Sequence, residues 1–331
     1  GVTVDGSGGR FDLLDAAVHV SGEDHAVEGV RVTGAVFGIL VEKASRARVR
    51  GCEVEGDATQ PHGLRGDTIR LWEARDCVVE DNVVRDGRDV VVWYSPGNRL
   101  ARNTMEGGRY GAHLMYSSGV VVEGNRAVRN VVGLFVMYSR DVTVRDNVFA
   151  GSAGAAGIGL GAKESGNLAV ERNLFLRDAC GLYIDGSPLR DGDIDVFADN
   201  AFLLDDVAVT FHAGQRGNRF VRNRFHDNRQ QVVVEGGGDA LGSAWEENDW
   251  DDYAGYDLDG DGAGDLPYEL RSLSGQLASK RPALRFFDGT PALSLLDAAA
   301  RVLPLFRPQT VLVDAHPRVA SRPVPEDRHA H

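Results

Sequence analysis

The chain has 331 residues, 41 of them glycine, and a formal net charge of −13 at pH 7. That charge argues against a nucleic-acid groove, which carries a basic footprint, and no apolar run reaches the roughly 18 residues needed to span a membrane. Three scattered cysteines, Cys52, Cys77 and Cys180, are too few for a disulfide framework.

The first residues, V-T-V-D-G from Val2, already read as mid-repeat strand, and Gly1 is not preceded by methionine. A further N-terminal portion, with a secretory signal, is therefore expected upstream. Irregular repeats follow near Val27 and Val49. From there a regular unit closes each time on an asparagine: Asn82, Asn103, Asn125, Asn147, Asn173, Asn200, Asn223 and Asn248. The spacings are 21, 22, 22, 26, 27, 23 and 25 residues. Short alternating Val-rich strands at this period, with Gly and Asn between them, predict an all-β parallel β-helix. A leucine-rich repeat needs an L-x-x-L-x-L pattern that is absent.

Alternation assigns the interior. Val84, Met105, Ala127, Phe149, Phe175, Phe202, Phe225 and Trp250 stand two residues after each Asn. Val79, Leu100, Val122, Val144, Val170, Phe197, Phe220 and Trp245 stand three before it. Both sets are expected to stack as apolar ladders. The Asn column is expected to be an amide ladder bonded to turn backbone.

The first strand of each repeat yields a third interior column: Leu71, Val92, Leu114, Val136, Leu160 and Ile184. Its flanking positions face outward. One flank reads Arg70, Val91, His113, Phe135, Gly159 and Tyr183; the other reads Trp72, Trp93, Met115, Met137, Gly161 and Asp185. Two thioethers and an imidazole gathered on one outer face are soft donors that suit Cu(I). An apolar patch covered by a loop or a partner explains Trp72, Trp93 and Phe135 equally well. The two readings are compatible.

Three insertions interrupt the outline: 58–67, 151–156 and 187–195. Long turns on a solenoid are frequent binding elements. After Trp250 the repeat stops. An acidic loop is expected over 251–281, where Asp257, Asp259, Asp261, Gly262 and Asp265 match the front half of a calcium loop, with Tyr268 where the bidentate Glu should stand. A capping or docking segment is expected over 282–314. Its helix has Thr290 as N-cap and Pro291 at the first helical position, an apolar stripe of Leu293, Leu296 and Leu303, and Pro304 as its stop. That helix would cover the open end of the coil or dock on a membrane-embedded partner. Residues 315–331 are polar and Pro-rich and read as a disordered tail.

Catalytic readings are weaker. Asp185, Lys163 and Arg190 can be placed near one another, as in β-helices acting on polysaccharides, but the net negative charge disfavours an acidic polysaccharide substrate. His212 reads as an isolated turn or surface histidine.

The succession G-D-T-I-R-L-W (66–72), V-V-W-Y-S (91–95), R-Y-G-A-H-L-M-Y-S (109–117), V-G-L-F-V-M-Y-S (132–139), G-L-G-A-K-E-S (159–165) and G-L-Y-I-D-G-S-P (181–188) is distinctive. With the W-D-D-Y to D-L-P-Y block (250–268) and F-F-D-G-T-P-A-L-S-L-L-D (286–297), it resembles the NosD family of nitrous oxide reductase maturation proteins. The resemblance covers nearly the whole chain. It implies a periplasmic, right-handed β-helix that is not an enzyme. It also implies a place in an ABC-type complex with a membrane permease and an ATPase, working with a copper-chaperone lipoprotein and nitrous oxide reductase. On that footing copper is expected at His113, Met115 and Met137. A scaffold without bound copper is the alternative.

Overall fold

The computed structural model describes residues 1–7, 9–10, 15–154, 156–212, 216–235, 238–272, 295 and 308–319. They form a right-handed-type parallel β-solenoid of about 10 turns. Sheet A has 11 strands, from Val2–Asp5 to Asp249–Trp250; sheet B has 10, from Ala16–Glu23 to Gln230–Glu235; sheet C has 10, from Ala26–Glu28 to Ala244–Glu246. One turn of the coil runs through Ile69–Trp72 in sheet B, Val78–Glu80 in sheet C and Val83–Arg85 in sheet A before Asp89–Trp93 re-enters sheet B.

Two interior columns are registered as the sequence suggests. Val84 through Trp250 pair strand to strand in sheet A, and Val79 through Trp245 do so in sheet C. All are buried. Toward the C-terminal end the columns turn aromatic and stack nearly face to face. Ring centroids are 5.2 Å apart for Phe149–Phe175, 4.5 Å for Phe175–Phe202, 5.0 Å for Phe202–Phe225 and 4.3 Å for Phe225–Trp250. Each such side chain contributes about 1.5–3 kcal/mol by burial alone.

The asparagine ladder ties the turns together. Asn82 donates its backbone N–H and its Nδ2 to Asn103 Oδ1 at 3.0 and 2.9 Å, and its Nδ2 also to Val49 O at 3.0 Å. The same pattern repeats through Asn223 and Asn248. Before each of these asparagines stands a residue in the left-handed region: Asp81, Arg102, Gly124, Asp146, Arg172, Asp199, Arg222 and Glu247. Left-handed backbone disfavours side chains other than Gly, Asn and Asp. Alternating charge compensates here: Arg102 forks onto Asp81 at 2.8 and 3.0 Å, Arg172 onto Asp146 at 2.9 and 3.0 Å, and Arg222 onto Asp199 at 3.0 and 2.8 Å.

A second corner explains the M-Y-S motif. Methionine ends the sheet B strand facing out, tyrosine takes the left-handed turn, and serine points in. Ser95 N donates to Ser117 Oγ and Ser117 N to Ser139 Oγ, both at 3.0 Å, and Ser165 N to Ser187 Oγ at 2.9 Å. The turn leaves Tyr94, Tyr116 and Tyr138 stacked outside the coil, with centroids 5.2 and 4.9 Å apart.

The structure departs from the sequence reading in three places. First, Leu160 pairs with Leu134 and Leu182, so Ala162 follows Val136 in the interior column. The outward columns are corrected with it: Gly161 follows Phe135, and Lys163 follows Met137. All the extra residues of the 151–156 insertion are absorbed before the strand Ile158–Lys163 begins. Second, Tyr268–Ser272 leaves the acidic loop as a strand and pairs antiparallel with Gln309–Asp314. Third, part of the expected tail lies on the coil: Arg318 N donates to Asn248 O at 2.8 Å, and its guanidinium pairs with Glu247 at 2.7 Å. The strand pair closes the C-terminal end of the coil. Tyr268 stacks on Trp250 at 4.5 Å. Asp314 ends the ladder, its Oδ2 accepting from Asn248 N at 3.0 Å, Asn248 Nδ2 at 2.9 Å and Trp250 Nε1 at 3.2 Å. An acceptor-only carboxylate suits a terminal ladder position. The expected helix with Leu293, Leu296 and Leu303, and residues 320–331, lie outside the described residues.

A further column reads Asn130, Ser152, Asp178, Asp205 and Asn228, all buried except the half-buried Asn228. From Ser152 onward each backbone N–H donates to the side-chain oxygen of the next member: Ser152 N to Asp178 Oδ1, Asp178 N to Asp205 Oδ1 and Asp205 N to Asn228 Oδ1. Asn130 Nδ2 and Asn228 Nδ2 donate to the carbonyls of Met105 and Phe202 at 3.0 Å. Asp178 and Asp205 lack that amide, and among the described residues their Oδ2 atoms have no partner. Burial pushes their carboxyls up to about 7 and about 9, so the neutral acid, itself a donor, is favoured. Both values lie above the ordinary one near 4. The stability these groups contribute is therefore complete below about pH 4 and is lost as pH rises through 7 and 9. The double variant Asp178→Asn, Asp205→Asn restores the amide donors. Thermal denaturation at pH 9 is expected to give a melting temperature about 5 °C above the unaltered chain, with the gap narrowing at pH 5. An equal or lower melting temperature at pH 9 would rule this account out.

A soft-donor cluster on the outer face of sheet B

Along Tyr110–Met115 the side chains alternate, so Leu114 points into the core while His113 and Met115 point out. Register places Trp93 beside Met115, Met115 beside Met137, and His113 beside Phe135. Neighbouring strands are about 4.8 Å apart, so the two methionines share one patch. His113 Nε2 stands 3.2 Å from Met137 Sδ. The imidazole nitrogen and the thioether are thus close enough to approach one soft ion together.

His113 faces outward but is only 6 % exposed. Tyr110 covers one side, with rings 4.8 Å apart; Trp93 meets it edge-on at 5.3 Å and Phe135 at 6.5 Å. Gly161 makes room for Phe135: a Cβ at that position would stand 2.6 Å from the ring. Phe135 is thus buried with Val132, Ile158 and Cys180 and is a packing residue, a correction to its reading as partner surface. Tyr110 is held in turn. Its backbone N–H donates to Asp89 Oδ1 at 3.2 Å, and Arg109 pairs with Asp89 while lying 4.6 Å over the Tyr110 ring. Burial pushes the His113 imidazole down to about 4, so it is neutral at neutral pH.

Trp72 and Trp93 are half-buried. The Arg70 guanidinium lies 4.6 Å from the Trp72 ring and 5.6 Å from Trp93, so a cation of the chain already sits over these rings. Beyond Met137 the same outward column turns polar: Lys163 Nζ pairs with Asp185 at 2.7 Å, and His212 Nδ1 meets Glu235 at 2.8 Å. Arg190 is exposed in the turn after Asp185. The most exposed aromatics of the region are Tyr94 at 46 % and Tyr116 at 48 %. They went unnoticed in the sequence, although the repeated tyrosine of M-Y-S marks them.

Residues 51–255 match the family model described as "Periplasmic copper-binding protein (NosD)". The chain belongs to this family. It is 29 % identical over 96 % of its length to a protein of Pseudomonas aeruginosa named "Probable ABC transporter binding protein NosD", of which it covers 77 %. A protein of the same name from Stutzerimonas stutzeri is 27 % identical over 94 % of this chain and 73 % of its own length. Among solved structures, the Dettilon tailspike protein shares 10 % identity at a TM-score of 0.47, over 70 % of this chain and 55 % of its own. The family is periplasmic by description, and among the described residues no helix is long and apolar enough to cross a membrane.

In this member of the NosD family the acidic loop brings Asp257, Asp259 and Asp261 together, with a carboxylate oxygen of each within 4.8 Å of the others. Asp257 Oδ2 accepts from Gly262 N at 2.8 Å, folding the loop tightly. Asp265 does not join them: its Oδ2 accepts from Leu258 N at 2.6 Å. Tyr268, at the twelfth position, is core.

Proposed function

We propose that the chain is a docking and copper-transfer protein that takes Cu(I) at His113, Met115 and Met137. In this reading a copper-chaperone lipoprotein delivers the ion, and the chain serves maturation of the copper centre of nitrous oxide reductase together with the permease and ATPase of an ABC-type complex. The copper-binding description of the family and the ABC-transporter names of its relatives support the general role. The observation that carries the site is the 3.2 Å approach of His113 Nε2 to Met137 Sδ, with Met115 in register beside Met137. Two thioethers and a neutral imidazole favour Cu(I) over harder cations. In this reading the chain is not an enzyme, in keeping with the non-enzymatic names of its relatives.

The double variant Met115→Ala, Met137→Ala tests this reading. Under oxygen-free, reducing conditions, Cu(I) competition is expected to give one-to-one binding by the unaltered chain and a loss of at least about tenfold in affinity by the variant. In cells, the same variant is expected to leave the reductase copper-deficient. Cu(I) binding unchanged by the double substitution would refute the site, and full reductase maturation with the variant would leave the chain as a scaffold.

The reading includes a structural calcium ion at Asp257, Asp259 and Asp261, which supply oxygen donors of the kind calcium takes. Calcium at millimolar concentration is expected to raise the melting temperature of the unaltered chain by a few degrees, and not that of Asp257→Asn, Asp259→Asn. No shift with the unaltered chain would remove calcium from the account.

A further inference from the structure

The Trp93 indole N–H lies 3.3 Å from His113 Nδ1. An indole nitrogen can only donate. Nδ1 therefore accepts, and in a neutral imidazole the ring proton sits on Nε2, pointing at Met137 Sδ 3.2 Å away. The nitrogen that faces the Met137 thioether is in this way the one without a free lone pair. The lone pair is on the other side of the ring, held by Trp93.

We propose that Trp93 is a latch on the copper site, holding His113 in the tautomer that cannot ligate. This rests on the copper reading above. For Cu(I) to bind beside Met137, the proton leaves Nε2 and one arrives at Nδ1, so the imidazole stays neutral and no oxidant or reductant is needed. Nδ1–H would then oppose the Trp93 N–H, two donors face to face, and the indole must turn away. Part of the binding free energy is consumed in breaking this bond. A site so arranged holds its ion less tightly than its donor set allows, which suits an ion that must be passed on. Trp93 is a positioning residue in this scheme and does not itself ligate. Trp72 is the natural control, since it lies on the same face, 5.8 Å from Trp93 between ring centroids, and its recorded ring contacts are with Arg70, Trp93 and Tyr94.

Two measurements test the latch. Long-range nitrogen–proton correlation spectra of the copper-free, unaltered chain report the tautomer directly, without any substitution. His113 protonated on Nε2 is expected, and protonation on Nδ1 would overturn the inference. In Cu(I) competition, Trp93→Phe is expected to bind about fivefold to tenfold tighter than the unaltered chain, while Trp72→Phe matches it. Equal or weaker binding by Trp93→Phe would overturn the latch while leaving the site intact, provided Met115→Ala, Met137→Ala still loses the ion. Retention of Cu(I) by that double variant, or absence of binding by every form, would instead refute the copper reading and with it the latch as a copper device.

Discussion

The asparagine ladder is the constraint on which the rest depends. A parallel coil of short strands has no hairpins to fix its register, and alternation alone tolerates slips. The ladder removes that freedom. Every Asn from Asn82 to Asn223 offers both a backbone N–H and an amide N–H to the next carboxamide oxygen, so each turn is pinned to the next at one buried point. The serine ladder pins a second corner. With both fixed, Met115 and Met137 must be neighbours, and the imidazole of one turn must meet the thioether of the next. The same logic explains the ends. Cys52 supplies only its N–H to Asn82, at 2.9 Å, and Asp314 supplies only an acceptor.

The outer face of sheet B grades from aromatic and cationic at Arg70, Trp72 and Trp93, through soft donors, to ion pairs at Lys163 and Asp185. In the soft-donor zone the polar group, His113, is sealed by rings on several sides. Burial keeps that imidazole neutral, and burial also makes every hydrogen bond it forms matter, since water is not there to replace a lost partner. The exposed tyrosine stack runs alongside, at the corner next to the methionines.

Much of this was legible in the sequence because a solenoid repeats its chemistry. The Asn, Val and Phe columns could be read by spacing alone, and the outward placement of His113, Met115 and Met137 followed from alternation. The slip at Leu160 was not legible. A strand that alternates looks the same when moved by two residues, and Ile158-Gly-Leu-Gly-Ala-Lys fits either phase; only pairing with Leu134 decides it. The covering of His113 was hidden for a different reason. Its neighbours Trp93 and Phe135 come from the turns before and after, and Tyr110 from the start of its own strand, so no local pattern joins them. The strand that closes the coil, Gln309–Asp314, is separated from its partner Tyr268–Ser272 by a long segment, and nothing local to either marks the pairing.

The most direct measurement of the central claim is copper K-edge X-ray absorption on the unaltered chain loaded with one equivalent of Cu(I). Methionine and histidine ligation predicts a first shell of two sulfur scatterers and one nitrogen, with the outer-shell scattering of an imidazole. A shell of nitrogen and oxygen alone, without sulfur, would contradict it and place any copper elsewhere on the coil.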